Sequence, residues 1–427
     1  MWWLRRTGET VTSTGKARLG WRLPWGRLLL AGLALLLAAC GPRPEGPEQR
    51  AAFLARHWKD PLPAQGPVPE GFSALESALG AEACGQCHAA QRQDWQGSRH
   101  AHSMGPGLRW QLHLMNQAQA NRCLRCHAPL AEQKALLAQA MSWPARPGAP
   151  PPAHVPSDLA QQGLVCAACH VREHRRYGPP VRPASAAAAA DPRPHAGFVA
   201  STAFSDSAFC APCHQFPADG PRTAGKLHED TFEQWKASPL AARSSCQSCH
   251  MPERRHLWRG IHDAPMTRRA IKVDWRVQRQ PDQRLVALVK VRNVGAGHHF
   301  PTYMVPKVEL QIDHVAADGR RSAQAAGVIG WTVEADLGKE IADTRIPAGQ
   351  ERSFELPLKA GAAAGGLFEL RLVVKPGEHY ERTFVQSLAR ADRLPPASIA
   401  PLREALAQVR AGEYELMRLT RPADVAN

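Results

Sequence analysis

Ten of the eleven cysteines in this 427-residue chain fall into five copies of one pattern, Cys-x-x-Cys-His. They are Cys84-Gly-Gln-Cys87-His88, Cys123-Leu-Arg-Cys126-His127, Cys166-Ala-Ala-Cys169-His170, Cys210-Ala-Pro-Cys213-His214 and Cys246-Gln-Ser-Cys249-His250. Two cysteines three positions apart lie on one face of a helical turn. Both can form thioethers to the vinyl groups of one porphyrin, and the histidine that follows points its imidazole at the iron as the proximal ligand. With 11 Cys and 19 His in the chain, roughly 0.01 copies of this pattern arise by chance. Zinc knuckles do not require a histidine after every second cysteine, and disulfides closing across two residues are strained. The reading is five covalently bound c-type haems with proximal ligands His88, His127, His170, His214 and His250.

Fourteen histidines remain. A haem iron with two histidines suits electron transfer, whereas an open distal position admits a substrate. Four contexts stand out: Trp95-Gln-Gly-Ser98-Arg-His100, the loop holding His195, His256-Leu-Trp-Arg-Gly-Ile-His262-Asp263, and Gly295-Ala-Gly297-His298-His299-Phe-Pro301. The expected distal ligands are therefore His100, His195, His256, His262 and His298, with His299 the alternative to His298. The glycines beside His298 allow close backbone approach to a flat ligand. His102, His113, His154, His174 and His228 are held in reserve. His57, His314 and His379 are read as structural.

The eleventh cysteine, Cys40, follows Leu37-Ala38-Ala39 at the end of the apolar stretch Leu28–Ala39, with Arg22 and Arg27 upstream. Such a stretch is too short to span a bilayer comfortably. It reads as a signal peptide ending in a lipobox, so that Cys40 becomes lipid-modified. Pro42, rather than Asp, after Gly41 points the anchored protein to the outer membrane, on the periplasmic side or at the cell surface. The formal charge of +15 falls to about +10 once the leader's six cations and Glu9 are set aside. Five haems bring roughly ten propionates, so the excess arginine is read as their bidentate partners. Nucleic-acid binding is excluded on that balance and on export.

These sites need elements to hold them. Residues 1–39 are the leader, and 40–80, with seven prolines after residue 40, are a tether with one short helix near Ala51–Trp58. Residues 81–268 form a mostly irregular and α-helical haem domain with few strands, in which porphyrins supply much of the core. Pro144–Pro156 and Pro179–Pro194, the latter holding the alanine run Ala186–Ala190, are surface loops. From about 270 the pattern changes to strand-length alternation at Lys272–Val277, Leu285–Arg292, Val308–Val315, Ile329–Glu334, Arg352–Leu358, Leu367–Val374 and Arg382–Gln386. Residues 269–392 are expected to be an antiparallel β-sandwich of immunoglobulin-like type. Residues 393–427 are expected to be a terminal amphipathic helix from Ser398 to about Arg418, with a tail.

In these phrases the chain resembles the multihaem c-type cytochromes related to the tetrahaem cytochrome of ammonia oxidisers, the ammonia-forming nitrite reductases and hydroxylamine oxidoreductase. The resemblance covers roughly residues 80–310. It rests on Cys84–His88 followed by Trp95 and Ser98-Arg-His100-Ala, on His127-Ala-Pro, on Gly163-Leu-Val-Cys166 through His170-Val-Arg, and on Phe209-Cys210 through His214-Gln-Phe. Thr231-Phe-Glu-Gln-Trp235, Cys246 through His250-Met-Pro, and Gly297-His298-His299-Phe-Pro301-Thr complete it. The ammonia-forming reductases generally carry one motif ending in Lys, whereas all five here end in His. Hydroxylamine oxidoreductase has eight haems and a tyrosine crosslink, whereas this chain has five motifs and only Tyr177, Tyr303, Tyr380 and Tyr414. Neither activity carries over.

The expected function is electron relay among periplasmic or membrane redox proteins through closely packed bis-histidine haems, with other multihaem subunits as further partners. The alternative is reduction of a small nitrogen or sulfur oxyanion at one haem with an open distal site, with Arg254-Arg255 or Arg268-Arg269 to hold an anion. An assembly subunit docking through the sandwich is a third reading.

Overall fold

The structure, a computed structural model, describes residues 45–182, 194–359 and 365–423. The leader, Cys40 and Ala186–Ala190 lie outside the described residues. Residues 46–427 form one compact unit.

The expected tether is instead part of the wall. Helix Pro47–His57 starts on a proline, which costs no intrahelical bond there, and buries Phe53 and His57. Phe53 packs on Phe204 and Tyr177 at ring distances of 6.1 and 5.9 Å. Leu62 and Leu79 join Trp95, Leu130, Leu159 and Val165 in a small core. The prolines of 41–80 punctuate the segment without freeing it, because these apolar side chains have a surface to bury against.

Each Cys-x-x-Cys-His motif rides on a short helix or its end: Ala81–Cys87 with His88 capping it, Gln117–His127, Cys166–His170, Ala211–His214 and Cys246–His250. A second small core, Met104, Leu112, Leu124, Leu137 and Trp143, backs the second motif.

After residue 270 seven longer strands follow: β1 Ile271–Arg279, β2 Leu285–Asn293, β3 Lys307–Val315, β4 Arg321–Ile329, β5 Glu351–Pro357, β6 Leu367–Lys375 and β7 Tyr414–Pro422. They form two antiparallel sheets, β5-β2-β1 and β7-β6-β3-β4. Alternation turns Trp275, Val289 and Val291 of the first sheet toward Leu310, Ile312, Leu370 and Leu372 of the second, giving one shared core.

Three sequence expectations are corrected. The strand expected at Arg382–Gln386 belongs to helix Glu378–Leu388. Its β-branched residues Thr383 and Val385 suggest a strand, but the Glu378–Arg382 pair one helical turn apart and Phe384 packed edge-on to Trp110 favour the helix. The terminal helix is Pro396–Ala411, capped by Gly412, and the segment expected to continue it and trail off forms the edge strand β7. Strand β4, passed over except for its last residue, is rich in alanine; its edge position against β3 decides its conformation, not its propensity. Helix Pro396–Ala411 also packs on helix Pro106–Leu112 through Trp110, Phe384, Leu402 and Ala405, fastening the sheets to the haem region.

Candidate functional site

All ten motif cysteines and all five motif histidines line a single cavity of about 3940 Å³. A pocket for one small molecule is ~300–1,000 Å³, so this is room for several large groups. The ten sulfurs are separate thiols, with no disulfide among them. Thiols of different motifs approach one another: Cys84 and Cys166, Cys126 and Cys213, and Cys210 and Cys246 lie within hydrogen-bonding reach. Cys169 is near enough to Cys210 and Cys213 to disfavour their ionisation. Motif three is thereby next to motifs one and four, and motif four is next to motifs two and five.

The histidines come in opposed pairs. Ring centroids of His214 and His100 are 6.3 Å apart, those of His250 and His298 are 6.3 Å apart, and those of His170 and His256 are 6.0 Å apart. Two imidazoles sharing one metal through nitrogen bonds of about 2 Å have centroids about 6 Å apart. The rings of His250 and His298 are nearly parallel, at 12°. His195 lies close to His88, whose pKa is lowered first by burial and then by that neighbouring imidazole. Among the described residues no cage of three or more His, Cys, Asp or Glu gathers around a bare ion. The donor set is paired rings with thiols beside them, which fits haem.

Backbone carbonyls fix the ring tautomers. Nδ1 of His127, His170 and His250 donates to the carbonyls of Ser103 (2.7 Å), Tyr177 (2.8 Å) and Arg259 (2.5 Å). Nδ1 of His195, His256 and His298 does the same to Gly197 (2.8 Å), Arg254 (3.0 Å) and His299 (2.8 Å). A neutral ring that donates from Nδ1 keeps its Nε2 lone pair free for a metal. Burial lowers the pKa of His127, His250 and His256, and pushes His170 and His298 down to about 4 and His100 to about 3.

His262, expected to be a distal ligand, is placed otherwise. Arg99 Nη2 lies 2.7 Å from its Nδ1. A guanidinium only donates, so Nδ1 accepts and the ring proton sits on Nε2, where it blocks ligation. Among the described residues no histidine ring stacks on His262. His127 likewise has no histidine ring opposed to it among the described residues.

Most of the positioning residues carry no sequence signal. Asp94, whose side chain is 7% exposed, accepts from Arg255 Nε (2.9 Å) and Nη2 (2.5 Å) and from the His256 backbone N–H (3.0 Å). The Ser103 hydroxyl lies within hydrogen-bonding distance of the carbonyls of both His100 and His127, at 2.9 and 2.8 Å. Asn293, fully buried, donates to the carbonyls of His298 (2.8 Å) and Ile346 (3.0 Å) at the end of β2. Gln234, from the Thr231–Trp235 phrase, accepts from the His299 N–H at 3.1 Å. The glycines near His298 serve approach to protein rather than to a ligand: a Cβ on Gly295 would lie 2.3 Å from the Arg269 carbonyl, and one on Gly297 3.1 Å from Trp235. His57 does not line the cavity; its Nε2 meets the Cys169 carbonyl at 2.8 Å.

Residues 83–145 match the family described as cytochrome c554 and c-prime. Over those residues, which hold the first two motifs, the chain is similar to that multihaem c-type cytochrome family. Its fold is similar to that of a penta-heme cytochrome c552 from Thermochromatium tepidum, with 20% identity and a TM-score of 0.55 over 81% of this chain and 99% of that one. No curated protein sequence matches the chain. Covalently attached haems are what that family implies, and c-type cytochromes are exported beyond the cytoplasmic membrane. No helix among the described residues is long and apolar enough to cross a membrane.

Proposed function

We propose that this cytochrome is a five-haem electron relay. The observation that carries it is the convergence of all five Cys-x-x-Cys-His motifs on one cavity, with thiols of different motifs in reach of one another. Haem supplies the one-electron chemistry when bound; the chain's part is to hold, orient and insulate. Each motif's cysteines anchor one haem. His88, His127, His170, His214 and His250 are the proximal ligands, and His195, His256, His100 and His298 complete the first, third, fourth and fifth sites. The Nδ1 bonds to backbone carbonyls favour this assignment, because they leave Nε2 free. The penta-heme cytochrome of similar fold supports the count. Haems held this close pass electrons through the series 1–3–4, with 2 and 5 branching from 4.

Lipidation of Cys40 would tether the relay to the outer membrane, and its partners are periplasmic or membrane redox proteins, with other multihaem subunits among them. The sheet region reads as an immunoglobulin-like sandwich: strands one, two and five form one sheet and three, four, six and seven the other.

A second reading is favoured by His127, whose ring stacks on no histidine among the described residues. The second haem would then have an open distal position and reduce a small nitrogen or sulfur oxyanion. Intact mass, the pyridine haemochrome and electron paramagnetic resonance (EPR) with and without carbon monoxide test both. Five haems with four low-spin, unreactive irons and one that binds carbon monoxide are expected. Fewer than five haems, or several reactive irons, would refute the relay as drawn.

A further inference from the structure

Arg99 is a cation drawn into the haem cavity with no anion to meet it. Both Arg99 and His262 line that cavity. Arg99 belongs to none of the ion pairs among the described residues; its recorded partner is the neutral Nδ1 of His262, at 2.7 Å. Burial disfavours its charge, and the Tyr303 hydroxyl lies close by. Its guanidinium is exposed to the open cavity, where an anion can reach it. It has five N–H donors in a planar fork, which suits a carboxylate held by two of them.

His262 completes the arrangement. Because Arg99 donates to Nδ1, the ring presents Nε2–H as a second, uncharged donor. Burial, and then Arg99, keep the ring neutral by pushing its pKa down to about 4. The pair therefore offers one positive charge and donors from two side chains, a match for one carboxylate rather than for a dianion.

We propose that Arg99 and His262 together clamp a haem propionate and raise the reduction potential of the haem that carries it. The inference rests on the five-haem reading. A free oxyanion has the same chemistry, but propionates reach the cavity covalently attached to their haems and at high effective concentration. A positive charge fixed beside a propionate disfavours the oxidised, more positive iron, so losing it lowers the potential.

The test uses the holoprotein. Arg99→Gln, Arg99→Lys and His262→Gln are prepared, their haems are counted by pyridine haemochrome, and each is titrated spectroelectrochemically. Arg99→Gln is expected to retain five haems and shift one couple by about tenfold in its equilibrium constant, ~59 mV downward for one electron. Arg99→Lys restores most of that shift, and His262→Gln gives a smaller one in the same couple. If Arg99→Gln does not take up haem, His262→Gln alone decides. Five haems with unchanged potentials in Arg99→Gln and His262→Gln overturn the clamp. A wild-type couple that moves with added acetate, and stops doing so in Arg99→Gln, overturns the propionate assignment in favour of a free anion. A wild-type haem count other than five overturns the underlying reading instead, and is seen before any potential is measured.

Discussion

The Asp94 carboxylate offers a sharp test of how the third haem site is assembled. It is buried, and it holds the Arg255–His256 backbone through three hydrogen bonds. In Asp94→Ala all three are lost. The Arg255 side chain is 58% exposed, so its part is screened and worth ~0–1 kcal/mol. Leaving the His256 N–H without a partner in a buried setting costs ~1–3 kcal/mol. The total, about 1–4 kcal/mol, is roughly a 5- to 1,000-fold rise in the population with the His256 segment displaced. Asp94→Asn keeps an acceptor for the His256 N–H and should fall between wild type and alanine. The assay is the number of carbon-monoxide-reactive haems, with EPR to count high-spin irons. Wild type is expected to show one, Asp94→Ala two, and Asp94→Asn a fractional second site. An alanine variant with all five haems and a single reactive iron would refute the idea that this carboxylate positions His256.

Three further outcomes follow from the same structure. Leu370→Ala, at a fully buried position shared by both sheets, should destabilise the fold by ~2–5 kcal/mol, read from denaturant unfolding of the holoprotein. Gly295→Ala puts a methyl 2.3 Å from the Arg269 carbonyl; relief requires the His298 loop to shift, so the EPR signal of the fifth haem should change while the haem count stays the same. Lys307 is buried, and burial outweighs the Glu378 carboxylate to push its pKa down to about 8, against ~10.4 in an unfolded chain. Between those values the unfolded chain binds more protons, so stability contributed at this site rises with pH. The melting temperature of wild type relative to Lys307→Met should therefore climb from pH 8 to about 10, and a flat difference would contradict the burial argument.

The haem motifs are legible because their chemistry is covalent and local, with five residues carrying the whole signal. The phrases around His100, His256 and His298 are legible for a related reason: histidine flanked by Trp, Gly and Arg is unusual outside a site. His262 shows the limit. It shares its phrase with His256, yet its tautomer is set by Arg99, which the sequence places far away and the fold brings to 2.7 Å. The carbonyls of Ser103, Tyr177 and Arg259 leave no trace in side-chain pattern, since any residue supplies a carbonyl. Among the elements, strands with alternating Val, Leu and Ile are readable. Helix Glu378–Leu388 and strand β4 are not, because packing on Trp110 and pairing with β3 override their composition.

Strand β7 joins β6 only after two intervening helices, so the four-stranded sheet is finished by a stretch translated long after its other members. Until that stretch is exported, β6 keeps a bare row of amide and carbonyl groups along one side, open to pairing with a neighbouring molecule. The delay also serves maturation. The cysteines, all upstream of residue 250, emerge first and stay reachable for the enzymes that attach their prosthetic groups while the scaffold that will enclose them is still incomplete.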